Sequence, residues 1–191
     1  MRRIHAALMV TALALALGAN SAKAADDYVF DLVHSSVSFK ARHLDISWIH
    51  GRFNEIEGKF SLDRQDPTKS TFEFKVKADS VDTGNKARDE HLRQPDYFDT
   101  KQFPTIDFKS TSVKAVKGGY EVTGDFTLHG TKKSITLNLQ GGTEIESRGT
   151  KRCGFSTALS VKRSDYGFDK MAIGPIGDEA KIDIDFEGTR K

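Results

Sequence analysis

The alternation of apolar and polar residues with a period of two is the feature that most constrains the fold of this chain. Because successive side chains of a β-strand point to opposite faces, each alternating segment predicts a strand with one apolar and one polar face. Four segments alternate cleanly and four others do so less regularly. In chain order, the eight segments span residues 37–42, 56–62, 72–79, 106–115, 120–128, 135–140, 155–161 and 181–187.

Several of these segments are joined by short polar turns, namely Gly118-Gly119, His129-Gly130 and Gly141-Gly142. Parallel strands would need long crossover connections, so the turns predict antiparallel pairing. Eight or nine one-sided strands must close into a barrel or pack as a sandwich. An eight-stranded barrel is either filled by side chains or holds one small ligand, and the periodicity leaves both open. The apolar set shifts from even positions at Ile106 and Phe108 to odd positions from Val113, which predicts a bulge near Ser110 to Ser112.

Three segments interrupt the strand pattern. Residues 44–51 carry apolar residues without clean alternation, and residues 85–94 are predicted to be helical up to Pro95. Residues 163–179 form a long connection with large apolar residues, which is unusual for a disordered loop. We predict that these segments cover a barrel mouth or edge; the alternative is that they pack as satellites of the core.

The N-terminus has the order of charge, apolar residues and small residues that is typical of a secretory signal peptide. Arg2 and Arg3 precede an apolar stretch over residues 6–19, and Ala22-Lys23-Ala24 is a small-x-small cleavage site. The apolar stretch is shorter than the roughly 20 residues that a membrane-spanning helix needs. We therefore expect residues 1–24 to be removed on export to the periplasm, which leaves residues 25–191 as one soluble domain.

Charge and cysteine content narrow the function further. The chain has 29 basic and 27 acidic residues, and removal of the signal peptide leaves 26 basic and 27 acidic residues. Because charges of both signs are interspersed, nothing indicates a nucleic-acid partner. Cys153 is the only cysteine and is expected to be a buried thiol. Pairing of Cys153 between chains, and a homodimer more generally, stay open.

The residues that carry chemistry give little support for catalysis. The sequence has no nucleophile elbow, phosphate-binding glycine loop or dinucleotide fingerprint, and its six histidines form no closely spaced metal-binding pair. We therefore predict no enzyme activity, no metal and no cofactor. The most unusual cluster is residues 88–93, in which Asp89 and Arg93 have the spacing of a helical ion pair. It is either a charged helix face with Leu92 turned inward or a site where Arg88, His91 and Arg93 hold an anionic head group.

Four stretches together resemble the YceI-like family of periplasmic polyisoprenoid-binding proteins. Within the second, the most specific pattern is Arg88-Asp89-x-His91-Leu92, followed by Phe98, Phe103-Pro104 and Phe108-x-Ser110. The resemblance covers essentially the whole chain after residue 24. The stretches are HSSVSFKARHLDISWIHGRFNEIEGKFSLD (34–63), SVDTGNKARDEHLRQPDYFDTKQFPTIDFKS (80–110), YEVTGDFTLHGTKKSITLNL (120–139) and FSTALSVKRSDYG (155–167).

The resemblance implies an all-β, lipocalin-like antiparallel barrel of eight to nine strands, with one short helix and an elongated apolar cavity. It implies a long isoprenoid lipid as ligand, either a polyprenyl phosphate or an isoprenoid quinone, carried or sequestered without catalysis. The family's usual opening is reduced here to residues 28–32, and the connection over residues 163–179 follows the family only in its first residues, up to Gly167. The alternatives are an enzyme that acts on a hydrophobic substrate through Asp89 and His91, and a stress-related scaffold with a packed core.

The residues predicted to bind the lipid fall into three groups. The first lines the barrel, the second lies at its rim, and the third holds the head group or docks the helix. They are Phe39, Phe60, Phe72, Phe74, Phe108, Phe126 and Phe155 in the lining, Trp48, Phe98 and Phe168 at the rim, and Arg88, His91 and Leu92 on the helix.

Overall fold

The computed structural model describes residues 25–168 and 174–191, so the predicted signal peptide lies outside the described residues. The described ranges contain ten strands, one α-helix and three short 3₁₀ turns. No helix among them is long and apolar enough to cross a membrane. The elements are β1 (Asp26–His43), β2 (Ser47–Phe53), β3 (Ile56–Leu62), β4 (Thr71–Lys77), β5 (Val81–Asp82), α1 (Lys86–Leu92), β6 (Thr105–Val116), β7 (Gly119–Leu128), β8 (Thr131–Ser147), β9 (Thr150–Lys162) and β10 (Ile176–Arg190), with 3₁₀ turns at Pro67–Lys69, Ala78–Ser80 and Arg163–Tyr166.

Eight of the strands close an antiparallel barrel in the order β1, β3, β4, β6, β7, β8, β9 and β10, and β10 pairs back to β1. This confirms the predicted eight- to nine-stranded barrel with one short helix. Strands β2 and β5 extend the sheet outside the barrel. The register of β6 against β7 shifts between Ser110 and Ser112, which confirms the predicted bulge.

The predicted cover at residues 44–51 is instead part of a hairpin. Strand β2 pairs with the second half of β1, from Val37↔Phe53 to His43↔Ser47. The sequence hides this strand because one of its inward positions is Gly51. A Cβ atom on Gly51 would lie 2.3 Å from the Phe39 ring, so that ring fills the space a side chain would take. The apolar alternation that marks a strand is therefore missing at Gly51.

Helix α1 forms where the sequence predicts a helix, but its charged residues bind other partners than expected. The Asn85 side chain caps the helix by accepting a hydrogen bond from Arg88 N at 3.1 Å. The predicted ion pair of Asp89 with Arg93 is wrong. Asp89 is buried and accepts from Thr83 N at 2.8 Å, whereas Arg93 donates to the carbonyl of Asp79 at 2.7 Å. Both residues thus fasten the helix to the loops that precede it.

The described parts of the connection between β9 and β10 form a turn and side-chain hydrogen bonds. Residues Arg163–Tyr166 form a 3₁₀ turn that ends at Gly167, whose φ of +82° lies in the left-handed region. Ser164 binds Asp178 through its backbone N–H at 2.8 Å and its hydroxyl at 2.7 Å. Residues 169–173 of the predicted cover lie outside the described residues.

One half of the barrel is filled by a packed aromatic plug. The rings of Tyr28 and Phe60 stack with centroids 4.7 Å apart, and those of Phe30 and Phe186 stack at 4.8 Å. Phe60 also contacts the rings of Phe72, Phe155 and Phe186 at 5.5–5.7 Å. Such ring contacts stabilise a core beyond the area they bury. We call Tyr28, Phe30, Phe60, Phe72, Phe155 and Phe186 the aromatic plug.

A polar network closes the barrel beyond this plug. The Tyr28 hydroxyl donates a hydrogen bond to Glu144, which also pairs with Lys151 at 3.2 Å and Arg190 at 3.3 Å. The Arg64 guanidinium donates to the carbonyl of Gly142 at 2.8 Å. Cys153 is buried beside this network as a free thiol, as predicted, and burial raises its pKa.

We expect this network to make stability fall at alkaline pH. Burial, and then the hydrogen bond to Glu144, raise the pKa of Tyr28 from 10.0 to about 12. Because the folded state holds this proton more tightly, the contribution is fully present below about pH 10 and is lost as pH rises toward 12. The free energy of unfolding should fall by up to about 2 kcal/mol across this window. Denaturant unfolding at stepped pH measures it, and an equally steep fall in Tyr28→Phe would contradict the assignment.

Candidate functional site

The half of the barrel opposite the aromatic plug contains an apolar cavity of about 160 Å³. Along each strand, residues that line the cavity alternate with residues on the outer surface, because successive side chains of a strand point to opposite faces. The cavity is lined by Val37, Phe39, Ala41, Ile49, Phe53, Phe74, Val76, Thr83, Arg88, His91, Leu92, Tyr97, Phe98, Ile106, Phe126, Leu128, Leu159, Val161, Arg163, Phe168, Ile176, Ala180, Ile182 and Ile184.

A cap made of α1 and residues 93–103 covers this end of the barrel. Leu92 and Phe98 carry the cap's apolar contacts with the cavity. The Phe98 ring packs edge-on against Phe53 on β2 at 5.6 Å and against Phe168 at 5.8 Å. The backbone N–H of Phe98 donates to the carbonyl of Leu92 at 2.9 Å, so the two anchors are held in a fixed relation. We call the end of the barrel that α1 and residues 93–103 cover the capped end.

The polar side chains of the lining lie at the capped end, and none of them is acidic. They are Thr83, Arg88, His91, Tyr97 and Arg163. Arg88 donates through Nε to the Thr83 hydroxyl at 2.7 Å. His91 Nε2 lies 2.8 Å from Asp96, and its ring meets the edge of Tyr97 at 4.8 Å. Among residues 25–168 and 174–191, neither Arg88 nor Arg163 has a carboxylate within ion-pair distance.

Arg163 is the most deeply buried of these cationic side chains. Its guanidinium donates to the carbonyls of Ile176 at 2.8 Å and Gly177 at 3.1 Å, and it lies 6.0 Å from the Phe168 ring. Burial lowers its pKa, because an apolar environment disfavours the charged form. Arg163 therefore fixes the start of β10 through these two hydrogen bonds.

The structure brings most of the predicted site residues to one cavity. Both the strand-borne aromatics and the helix residues contribute to its lining, although Arg93 of the predicted head-group set is turned away to the backbone of Asp79. The binding of a ligand by these side chains stays a prediction. The predicted residues that line the cavity are Phe39, Phe74, Arg88, His91, Leu92, Phe98, Phe126 and Phe168.

Five of the residues predicted to contact the ligand do not line this cavity, and their contact with a ligand stays a prediction. Phe60, Phe72 and Phe155 face inward but belong to the aromatic plug. Phe108 is buried against Phe74, with the rings stacked at 5.0 Å. Trp48 lies on the outer face of β2, because Ile49 and not Trp48 occupies the inward position. An inward-facing ring can therefore either pack against other rings or line the cavity, and its direction alone does not distinguish the two.

Sequence reasoning missed much of the wall. The aliphatic residues of β9 and β10 follow the period-two pattern, which predicts that their side chains point inward. Examples are Leu159, Val161 and Ile182. The emphasis on aromatic residues left them out. Arg163 gave no local signal, because its burial results from the fold of the connection after β9.

The size of the cavity limits what it holds in this conformation. An apolar cavity of about 150 Å³ accommodates one benzene ring. A space of about 160 Å³ is therefore sufficient for one ring-sized apolar group and much smaller than the elongated pocket that was expected. A longer chain requires the cap or the lining side chains to move apart.

One cluster of possible metal ligands lies away from the cavity. Ligand atoms of Asp31, His34 and Glu187 lie within 4.8 Å of one another. Arg152 already pairs with Asp31 and lies 3.9 Å from Glu187, so a guanidinium holds the place of a cation. The hydrogen bonds from His34 and Arg152 lower the pKa of Asp31 to about 2.

Comparison with known proteins supplies the family context. A model of the YceI-like domain matches residues 28–188. A UPF0312 protein of Photorhabdus laumondii is 39% identical over 187 residues, which cover 96% of each chain. The crystal structure of Burkholderia cenocepacia BcnA superposes with a TM-score of 0.71 at 24% identity, over 83% of this chain and 98% of that one. A polyisoprenoid binding domain from Saccharophagus degradans, implicated in plant cell wall breakdown, gives a TM-score of 0.64 at 19% identity, over 86% and 98%. At these identities the two structures show the shared fold alone.

Proposed function

The chain belongs to the YceI-like family, and we propose that it binds a long-chain isoprenoid lipid in the capped half of its barrel. The observation that carries the proposal is the apolar cavity, whose strand walls present only apolar side chains. The polyisoprenoid binding domain named among the structures of the same fold supports this ligand class. We further propose that the protein carries or sequesters the lipid in the periplasm and performs no reaction on it.

The energetics of apolar burial support binding without many polar contacts. Each buried CH₂ contributes roughly 0.8 kcal/mol, so about 20 buried carbons give on the order of 16 kcal/mol before ordering costs. Because the cavity in this conformation holds only one ring-sized group, we propose that the tail enters by displacing the cap. Leu92 and Phe98 would then exchange their contacts with the barrel for contacts with the tail.

The polar residues at the capped end suit the head group of such a lipid. Arg88, His91 and Arg163 place donors beside the apolar wall. His91 pairs with Asp96, whereas neither arginine forms an ion pair with a carboxylate of the described residues. Both proposed ligands fit this arrangement, because a phosphate binds cationic donors and a quinone carbonyl accepts hydrogen bonds. We therefore propose an isoprenoid with a phosphate or quinone head, without choosing between them.

The two rival functions find less support in the geometry. An acid–base role for Asp89 and His91 is poorly supported, because Asp89 accepts two hydrogen bonds from Thr83 and His91 pairs with Asp96. A scaffold with a solid core would need a fully packed interior, whereas the half of the barrel opposite the plug contains the cavity.

We expect protein purified from its host to contain a bound isoprenoid. Native mass spectrometry should show a mass above that of the chain, and solvent extraction should release a polyprenyl phosphate or an isoprenoid quinone. The physical reason is that the transfer of an apolar tail from an apolar cavity into water is unfavourable. A preparation that is free of ligand, and that also fails to take up added polyprenyl phosphate or ubiquinone, would overturn the proposed function.

A further inference from the structure

The outer surface at the capped end carries a group of residues that the cavity does not use. Trp48 is surrounded by Lys40 Nζ, Arg42 Cζ and Lys181 Nζ at 5.5, 4.9 and 5.4 Å from its ring centroid. We call these four residues the tryptophan–cation cluster. Within the described part of the chain, none of the three cations forms an ion pair with a carboxylate.

The cluster places like charges together at a cost to the fold. Lys40 and Lys181 are directly opposite each other in the register of β1 and β10. Like charges in this position destabilise a strand pair, and the indole face offsets only part of the repulsion. Glu179 and Asp183 flank Lys181 along β10 without pairing with it. The cluster therefore presents three cations around an aromatic ring, none of them in an ion pair within the described ranges, although Asp45 of the hairpin tip also lies nearby in the chain. An external anion would relieve the repulsion between Lys40 and Lys181.

The hairpin between β1 and β2 presents apolar side chains next to this charge. Leu44 and Ile46 at its tip are 58% and 79% exposed. Leu44 and Asp45 have φ values of 49° and 57°, and Ile46 N donates to the carbonyl of His43 at 3.0 Å. Turns of this form favour Asn-Gly, and leucine at positive φ is strained. The strain at Leu44 is not offset by burial, because the side chains of Leu44 and Ile46 are both exposed. This combination indicates that the two side chains contact something outside the fold.

The hairpin and the cavity share a wall. Ala41 and Ile49 are paired across β1 and β2, and both line the cavity. Leu44 N donates to the carbonyl of Pro175 at 2.8 Å, and the next residue, Ile176, also lines the cavity. A partner that binds the hairpin tip therefore lies next to the capped end, where α1 covers the cavity.

We propose that the β1–β2 hairpin docks this protein onto the surface of an anionic phospholipid bilayer. Leu44 and Ile46 enter the interfacial region, Trp48 lies at the head-group level, and the cations of the cluster contact lipid phosphates. Tryptophan is favoured at membrane interfaces, and lysines near an anionic leaflet strengthen binding. The charge complementarity selects an anionic bilayer as the partner. The inference adds a docking surface to the proposed function and does not depend on the identity of the cavity ligand.

Trp48 provides a direct test because it is the only tryptophan of the chain. The chain from residue 25 contains every strand of the described barrel, from Asp26 to Arg190. It lacks the apolar segment 6–19, which would itself bind lipid. We expect this chain to cosediment with vesicles of equal parts phosphatidylglycerol and phosphatidylcholine. Its fluorescence should shift to the blue with them, and pure phosphatidylcholine should produce neither effect.

Two variants and their matched controls locate the surface. The double variant Lys40→Gln/Lys181→Gln should weaken vesicle binding roughly 25-fold, at about fivefold for each lysine. The double variant Lys109→Gln/Lys117→Gln changes the net charge equally on other parts of the barrel and should have little effect. Ile46→Glu should weaken binding about tenfold or more. Ile145→Glu alters a residue that is 58% exposed beyond the plug and should leave binding nearly unchanged.

Several results would overturn the docking proposal. They are the absence of binding to the anionic vesicles, equal binding to pure phosphatidylcholine, and an equal loss in the control variants. A self-associated chain that buries Trp48 in the absence of vesicles, detected by analytical ultracentrifugation with fluorescence, would assign the surface to a second copy instead. Because the readout is vesicle binding, failure here is distinguishable from failure of lipid extraction, which tests the cavity.

Discussion

Replacing Ala41 with phenylalanine is expected to abolish isoprenoid binding while leaving the barrel folded. Ala41 is buried on β1 and lines the cavity between Ile49 and Ala180. A space of about 160 Å³ is comparable with one that holds a benzene ring, so the introduced ring occupies the ligand's place. We expect affinity to fall at least about 100-fold, because the loss of several buried CH₂ groups exceeds 2.8 kcal/mol. Titration with a polyprenyl phosphate or ubiquinone measures the change.

Ala158→Phe is the matched control for this substitution. Ala158 lies on the exposed face of β9, opposite Asp183 in the register, so the same ring there projects into solvent. The affinity of the Ala158→Phe variant for the lipid should equal that of the original protein. Overpacking at Ala41 is expected to cost about 1–3 kcal/mol, which circular dichroism and denaturant unfolding would detect separately from binding. Undiminished binding by folded Ala41→Phe would contradict the placement of the ligand in this cavity.

Replacing Phe60 with alanine is expected to cause one of the largest losses of stability from a single substitution. Phe60 is 2% exposed and its ring contacts five other rings of the aromatic plug. Removing a buried phenylalanine from such packing costs about 3–5 kcal/mol, because the neighbours cannot collapse into the space. Denaturant unfolding measures the difference from the original protein.

Phe98→Ala is the comparison that separates the two halves of the barrel. Phe98 is half-buried in the cap and already borders the cavity, so its removal should cost less stability than removal of Phe60. Phe98→Ala should instead weaken retention of the lipid, because it removes part of the apolar cover. Equal losses of stability in the two variants, with equal retention of ligand, would contradict the division into a packed plug and a capped cavity.

The parts of the fold that depend on local pattern were predictable from the sequence. The strand at residues 56–62, the bulge between Ser110 and Ser112 and the helix before Pro95 all occur where the residues predict them. Each depends on side-chain alternation, on register or on the chemistry of a helix end, which extend over only a few residues. The hairpin strand β2 was not predicted, because Gly51 removes the side chain that would have marked its inward face.

The candidate site was predictable only in part, because its residues are distant in sequence. Arg88, His91 and Leu92 share one short helix and reached the cavity as expected. Asp89 and Arg93 have the spacing of an ion pair but bind Thr83 and the backbone of Asp79, because the loop before the helix folds back on it. Arg163 became a wall residue through its bonds to the start of β10.

The sequence by itself determined the class of fold and the direction of most side chains, since alternation assigns each strand residue to the inside or the outside of a sheet. Only the tertiary structure decided where along the barrel axis each inward ring lies. Phe60 and Phe74 are equivalent by period, yet Phe60 stacks within the plug and Phe74 borders the cavity. The reason is that packing depends on which strands are neighbours and in what register, and these relations are set by closure of the whole barrel.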